Sequence, residues 1–231
     1  MTQEFESNQY DRIYAEGGTQ KIYDLPYRDS GYYPLFREVA RTLRARGTQA
    51  VLEVGCGTGG LAHLLQDEGR VKYRGFDFSR VAVERASVRV GRPNLFFVGD
   101  ARDAANYLDT YDAIVCTEVL EHIEADLEVI AKWPSGVDCV CSVPNFHADN
   151  HVRFFRSEGE VRSRYGKLLD IERVVRVKKP FLGDISWGSH VRALRWNRYR
   201  PSRLAEILGL SSFEAAGGWF VFSGRRRPAP D

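Results

Sequence analysis

The sequence is poor in cysteine: Cys56, Cys116, Cys139 and Cys141 each sit in an apolar stretch, and no two form a Cys-x-x-Cys pair. That pattern excludes a disulfide framework or a structural zinc site and reads as small core residues of a reduced cytosolic protein. No apolar run approaches the roughly 18 to 20 residues that span a bilayer. The N-terminal MTQEFESNQYDR has no apolar signal region. The expectation is a soluble, cytoplasmic chain with no membrane partner. Charge of one sign is not in excess either. The net charge of +2 conceals an asymmetry, however: −7 over residues 1–150 and +8 over 151–200. A basic segment beside an acidic body points to an anionic partner or substrate, or else to a solvated basic face. What is present is a 43% apolar, 12% aromatic chain of 231 residues, enough for the core of one elaborated domain. Collagenous, coiled-coil and natively unfolded classes are excluded.

Residues 1–33 carry Tyr10, Tyr14, Tyr23, Tyr27, Tyr32 and Tyr33 between Gly17, Gly18, Pro26 and Gly31, and read as an irregular cap or lid. The remainder, 34–231, reads as one domain. Leu35, Val39 and Leu43 repeat at helical spacing up to Gly47, giving an amphipathic helix. Short continuous apolar runs then follow: AVLEV (50–54), VKYRGF (71–76), NLFFV (94–98), YDAIVC (111–116) and VDCVCSV (137–143). Helical patterns at 59–67, 80–90 and 123–132 lie between them. Continuous rather than alternating apolar runs imply strands buried on both faces. The pattern predicts a doubly wound, Rossmann-like α/β fold with a mostly parallel seven-stranded sheet and helices on both faces. The last strands are LLDIERVVRV (168–177), or else a segment near 211–216, and WFVFSGR (219–225), with a helix at 200–210. A basic substrate-cap insertion is expected within about 145–217, bearing Trp187, His190 and Trp196.

The strongest signal is Glu53-Val-Gly55-Cys56-Gly57-Thr-Gly59-Gly60 at the end of the first core strand. Glycines let the backbone turn sharply and let a ligand approach, while free N–H groups at the helix start favour a polar or anionic group. The spacing 55, 57, 60 also satisfies G-x-G-x-x-G, so a dinucleotide is weighed. Three acids decide against it. Glu53 lies inside the motif, where it suits a cationic amino group better than a pyrophosphate. Asp77 ends the second strand, placed for a ribose diol. Asp100 follows the third strand, where it suits an adenine amino group. The combination fits adenosine joined to an amino acid.

In these residues the chain resembles the class I S-adenosylmethionine-dependent methyltransferases. VLEVGCGTG is similar to that family's first motif, GFDFS to its ribose-binding acidic turn, VGDAR to its adenine-contacting turn, and YDAIVCTEVLEHI to its fourth motif and following loop. The resemblance implies that the loop with Gly55, Cys56, Gly57 and Gly59 approaches the methionine part and that Asp77 meets the ribose. Phe78 and Ser79 would flank the adenine, Asp100 and Ala101 would meet its polar edge, and Thr117, Glu118 and Val119 would line the methionine side. The implied cofactor is S-adenosyl-L-methionine, with S-adenosyl-L-homocysteine as product.

Methyl transfer from a sulfonium is an in-line displacement in which positioning supplies most of the acceleration, and a base is needed only for an acceptor that carries a proton. His122 is the first candidate base, with Glu121 and His151 beside it. Glu118-x-x-Glu121-His122 also resembles two metal-using branches, the ubiquinone-type catechol O-methyltransferases and the small-RNA 3′-terminal 2′-O-methyltransferases. In the RNA branch a second histidine follows a Pro-Asn turn, as His151 follows Pro144-Asn145 here. No metal is expected, with Glu118, Glu121, His122 and His151 as the alternative set. Tyr10, Tyr14, Tyr23 and Tyr27 would close over the acceptor or simply pack the lid. Arg153, with Arg156, Arg162 and Arg164, would hold a carboxylate or phosphate, or form an exposed face. The expected function is O- or N-methylation of a small acceptor with aromatic or anionic character. RNA methylation and a non-catalytic nucleotide-binding or scaffold role are the alternatives. A monomer and a homodimer remain equally open.

Overall fold

The computed structural model describes residues 4–18, 22–69, 71–179 and 210–228, and between the last two only 191, 194, 195, 198–201 and 204. The expected helix at 200–210, the aromatic residues Trp187, His190 and Trp196 of the insertion, and the tail 229–231 lie largely or wholly outside the described residues.

Helix α2 (Tyr33–Arg46) takes Pro34 in its first turn, where a missing N–H costs nothing, and ends on Gly47 at φ 72°. Its buried stripe is Leu35, Val39 and Leu43. The sheet consists of β1 (Ala50–Val54), β2 (Lys72–Asp77), β3 (Phe96–Val98), β4 (Ala113–Cys116), β5 (Asp138–Pro144), β6 (Leu169–Lys178) and β7 (Gly218–Arg226), in the order β3-β2-β1-β4-β5-β7-β6. β7 alone runs antiparallel to its neighbours β5 and β6. β1 is flanked by β2 on one side and β4 on the other. The chain order reverses there, and a crevice opens outside the carboxyl ends of the strands.

Helices α3 (Gly60–Glu68) and α4 (Arg80–Val90) join α2 on one face, over Val51, Tyr73, Val115 and Val140. Helices α5 (Asp126–Ala131) and α6 (Glu158–Tyr165) cover the other, over Leu52, Phe76, Ile114 and Cys139. All four cysteines are buried and unpaired, as expected of core residues. Among the described residues no helix is long and apolar enough to cross a membrane.

Three expectations change. The N-terminal segment is not irregular throughout: Ser7–Ala15 forms α1, opened by a capping box in which Glu6 and Gln9 exchange side-chain and backbone bonds. Its buried stripe is only two tyrosines, Tyr10 and Tyr14, one turn apart, too sparse to register as periodicity. The helix expected at 123–132 is shortened to α5, Asp126–Ala131, and a separate 3₁₀ turn at Leu120–His122 precedes it. The penultimate strand is 169–178, so the alternative near 211–216 falls: Phe213–Ala216 is a short helix capped by Ser212.

Candidate functional site

At the end of β1 the chain enters the left-handed region at Gly55, φ 71°, where a Cβ would overlap Cγ2 of Val119. Only glycine allows both the turn and that approach. The Cys56 N–H donates to the Phe76 carbonyl at 2.9 Å, tying the loop to β2. Asp77 ends β2 with its carboxylate accepting from the N–H of Gly57 and of Ser79, each at 2.9 Å. Burial pushes its carboxyl up to about 6, against the opposing pull of those two donors. Beyond β3, Asp100 accepts from the Arg102 N–H at 2.8 Å, and the Tyr107 hydroxyl donates to the Ala101 carbonyl at 2.7 Å. One cavity is lined by Gly55, Asp77, Phe78, Asp100 and Ala101 on this side and by Glu118, Val119 and His122 on the other.

Helix α1 covers the cavity with Tyr10 and Tyr14. The Tyr10 ring lies 5.2 Å from that of Phe78 and 5.9 Å from that of His122, and Asn150 Nδ2 donates to its hydroxyl at 3.3 Å. Asp11 fastens the helix to the start of α4 through the Ser79 hydroxyl at 2.5 Å. Arg85 and Arg89 of α4 donate to the carbonyls of Tyr14 and Tyr23. Tyr14 and Tyr23 pack edge to face at 4.9 Å.

On the far side, Glu118 is the one described residue other than glycine with positive φ, 58°. Such backbone costs energy and persists only where surrounding structure holds it; here the Ser142 hydroxyl accepts its N–H at 3.1 Å. Glu121 is fully buried, and neither carboxylate oxygen has a hydrogen-bond partner. Burial, then the like charge of Glu118, push its carboxyl well up. Glu118 is pushed up too, chiefly by burial. Two neighbouring buried acids, of which Glu118 takes the Ser142 hydroxyl at 3.4 Å, favour a shared proton or an arriving cation.

His122 Nδ1 lies 2.8 Å from the Asn150 carbonyl and His151 Nδ1 3.2 Å from that of Phe146. A carbonyl only accepts, so each ring carries its proton on Nδ1 and leaves Nε2 as a free acceptor. Burial lowers both imidazoles to about 4, which keeps them neutral at ordinary pH. The rings are 4.9 Å apart. One ligand atom from each of Glu121, His122 and His151 fits within 4.8 Å of the others.

The expected site residues therefore divide. Gly55, Asp77, Phe78, Asp100, Ala101, Glu118, Val119, His122, Tyr10 and Tyr14 line one cavity, with Glu121 and His151 behind its far wall. Cys56, Gly57, Gly59, Ser79 and Thr117 are not among its lining residues. Tyr23 packs behind Tyr14. Three side chains point elsewhere. Glu53 accepts from the Tyr73 hydroxyl beneath the glycine loop, and burial pushes its carboxyl up to about 8. Tyr27 donates to Asp67 of α3 at 2.6 Å, with its ring against His63. Arg153 donates to the carbonyls of Leu120, Ile123 and Glu124 and pairs with Asp126 at 3.2 Å, bracing the 3₁₀ turn. Sequence reasoning passed over Tyr32, Asn150 and Trp219. The Tyr32 ring packs tilted against Trp219 at 5.7 Å, and the Trp219 indole lies beside Glu118 without completing a hydrogen bond. Trp219 reaches the site through the sheet order, which brings β7 beside β5.

A family model described as a methyltransferase domain matches residues 27–167. A ubiquinone biosynthesis O-methyltransferase of Vibrio campbellii is 30% identical over 131 residues, 55% of this chain and 52% of that protein. A phosphoethanolamine N-methyltransferase of Triticum aestivum is 27% identical over 179 residues, 70% of this chain and 33% of that protein. The chain thus spans about half the length, or less, of these curated relatives. The structure of the N-methyltransferase NodS from Bradyrhizobium japonicum is similar at a TM-score of 0.60 and 16% identity, covering 94% of this chain and 97% of that one. The family match over more than half of the chain shows that it belongs to the methyltransferase domain family, and the sheet order with the structural likeness shows the class I Rossmann-like fold.

Proposed function

We propose that the protein is an S-adenosylmethionine-dependent methyltransferase that methylates an oxygen or nitrogen of a small-molecule acceptor. The observation that carries this is the single cavity running from Asp77 and Asp100, past Gly55, to Glu118 and His122. An adenine at Asp100, a ribose at Asp77 and a sulfonium beside Gly55, joined in that order in the cofactor, would each have a partner in its lining. The bound cofactor supplies an electrophilic methyl group. Asp77 accepts from the ribose hydroxyls, the Gly55 turn admits the methionine backbone, and Tyr10 and Tyr14 exclude water as a lid. His122, kept neutral, lines the cavity with Nε2 free to accept the acceptor's hydrogen bond and its proton, while Glu121, fully buried behind it with its carboxyl pushed up, sets the polarity of that wall. The relatives named as O- and N-methyltransferases support either atom.

The basic segment favours a small acceptor over RNA. Arg164 forks onto Asp126 at 2.6 and 2.9 Å, Arg162 donates to the Ile171 carbonyl, and Arg173 pairs with Glu38, so these cations are engaged within the protein. Transfer of labelled methyl to a panel of phenols, catechols and amines tests the reading. His122→Ala should keep its affinity for S-adenosylhomocysteine and lose about tenfold or more in turnover. Transfer to RNA alone, with a steep salt dependence, would contradict the small-molecule reading. Failure to transfer to any acceptor while S-adenosylhomocysteine binds would favour a non-catalytic role.

A second reading is favoured by the bare oxygens of Glu121. That carboxylate and the two unprotonated Nε2 atoms suit a divalent ion, which would offset the Glu118–Glu121 repulsion and polarise an acceptor hydroxyl. The donor set fits; Glu121, His122 and His151 would hold the ion. Titration with Mg²⁺, Mn²⁺ and Zn²⁺, and its loss in His151→Ala, checks it.

A further inference from the structure

Lys179 follows the last residue of β6, at the same carboxyl edge of the sheet on which the cavity opens. Its N–H donates to the Gly217 carbonyl at 2.9 Å. Asn145 locks the same corner: its Oδ1 accepts from the Gly218 N–H at 2.7 Å, and its Nδ2 donates to the Phe213 carbonyl at 3.0 Å. The next residue, Phe146, presents its ring to the lysine, with Nζ 3.2 Å from the ring centroid. Phe146 in turn packs against His151 at 5.4 Å and Trp219 at 6.3 Å, which places the ammonium at the outer wall of the acceptor side.

Its surroundings set this cation apart from four arginines of the segment. Arg153, Arg164, Arg173 and Arg176 each have a carboxylate within 4.0 Å, whereas Lys179 has none among the described residues. It is half-buried, and desolvation lowers its pKa. A partly dehydrated ammonium over an aromatic face gains from an anion that accepts its hydrogen bonds. It lies near enough to Glu118 and His151 to act on both electrostatically, so an anion seated on it belongs to a molecule that also reaches those groups.

We propose that Lys179, held over Phe146, is the anchor for an anionic group of the methyl acceptor, a carboxylate or a phosphate. This rests on the methyltransferase reading above. The acceptor is then bipolar in layout, with its nucleophilic atom toward Glu121 and His122 and its anion toward β6. Neutral acceptors of the same shape bind more weakly.

The test is calorimetric titration of inorganic phosphate and, separately, of benzoate into the full chain, with and without saturating S-adenosylhomocysteine, in the wild type, Lys179→Met and Lys179→Arg. The expected result is binding of at least one anion by the wild type, a loss of about tenfold or more in Lys179→Met, as for one charge-assisted hydrogen bond, and retention in Lys179→Arg. Which anion binds distinguishes phosphate from carboxylate. S-adenosylhomocysteine affinity should be the same in all three proteins, which shows that Lys179→Met is folded. No anion binding by the wild type, or equal binding by Lys179→Met, overturns the proposal. If S-adenosylhomocysteine itself fails to bind, the methyltransferase reading fails instead, and the titrations without it still decide whether Lys179 binds anions.

Discussion

On the nucleotide side of the crevice, between β1 and β3, the acids already have protein donors: Asp77 holds two backbone N–H groups, Asp100 holds that of Arg102, and Glu53 holds Tyr73. On the acceptor side, between β4 and β6, the Glu121 oxygens and the Trp219 indole nitrogen are buried without partners among the described residues, Lys179 has no carboxylate within 4.0 Å among them, and Glu118 sits on strained backbone. The first half is preorganised by its own bonds and holds its shape without a ligand. The second stores unfavourable desolvation and strain that a bound acceptor or cation would relieve, which is how stability is commonly exchanged for function.

The largest effect that would sharpen this contrast lies in the frame of the acceptor side. Asp126 is fully buried and takes Arg164, Arg153 and the Tyr165 hydroxyl. Asp126→Ala leaves two guanidinium groups without their carboxylate and should lower unfolding free energy by about 3 to 5 kcal/mol. Urea denaturation measures this, and an unchanged midpoint would show that the pairing carries no load.

Next is Glu53, on the nucleotide side. Its folded pKa of about 8 lies above the ordinary 4.5, so the folded state prefers the proton. Stability from this group is complete below the ordinary value and falls as pH rises toward 8. Glu53→Gln, which can still accept from Tyr73, should remove that slope and exceed the wild type at pH 8 by on the order of 2 kcal/mol. Thermal melts from pH 5 to 8 check this; parallel pH profiles for the two proteins would mean that Glu53 is ionised at little cost.

The smallest effect is at Glu121. Glu121→Gln removes one of two repelling acids and should stabilise the ligand-free protein by about 1 kcal/mol while lowering turnover. A destabilised variant would mean that a partner for Glu121 already exists in the folded protein.

The two halves also differed in how well they could be read. β1 was legible to the residue because AVLEV is a continuous apolar run ended by the glycine turn, and α4 because Ser79 and Gly91 bracket it. The positions of Asp77 and Asp100 were legible because Asp77 ends β2 and Asp100 follows β3 by two residues, so each is fixed by its strand. Glu121, His122 and His151 were legible as types and spacing, but their tautomers depend on the carbonyls of Asn150 and Phe146, which no spacing reveals. Arg153 and Tyr27 were misplaced because a basic or aromatic residue near the site in sequence has many partners to choose from; the fold turned one onto three carbonyls and the other onto Asp67. Lys179 and Trp219 were passed over because they reach the crevice only through the antiparallel return of β7 between β5 and β6.

The account depends most on the cavity from Asp77 to His122 being an adenosyl site. Calorimetric titration of S-adenosylhomocysteine into the wild type, Asp77→Ala and Glu121→Gln tests that directly. The account predicts micromolar binding by the wild type, a loss of about tenfold to a hundredfold in Asp77→Ala from a missing charged acceptor, and little change in Glu121→Gln. No binding by the wild type, or undiminished binding by Asp77→Ala, would contradict it.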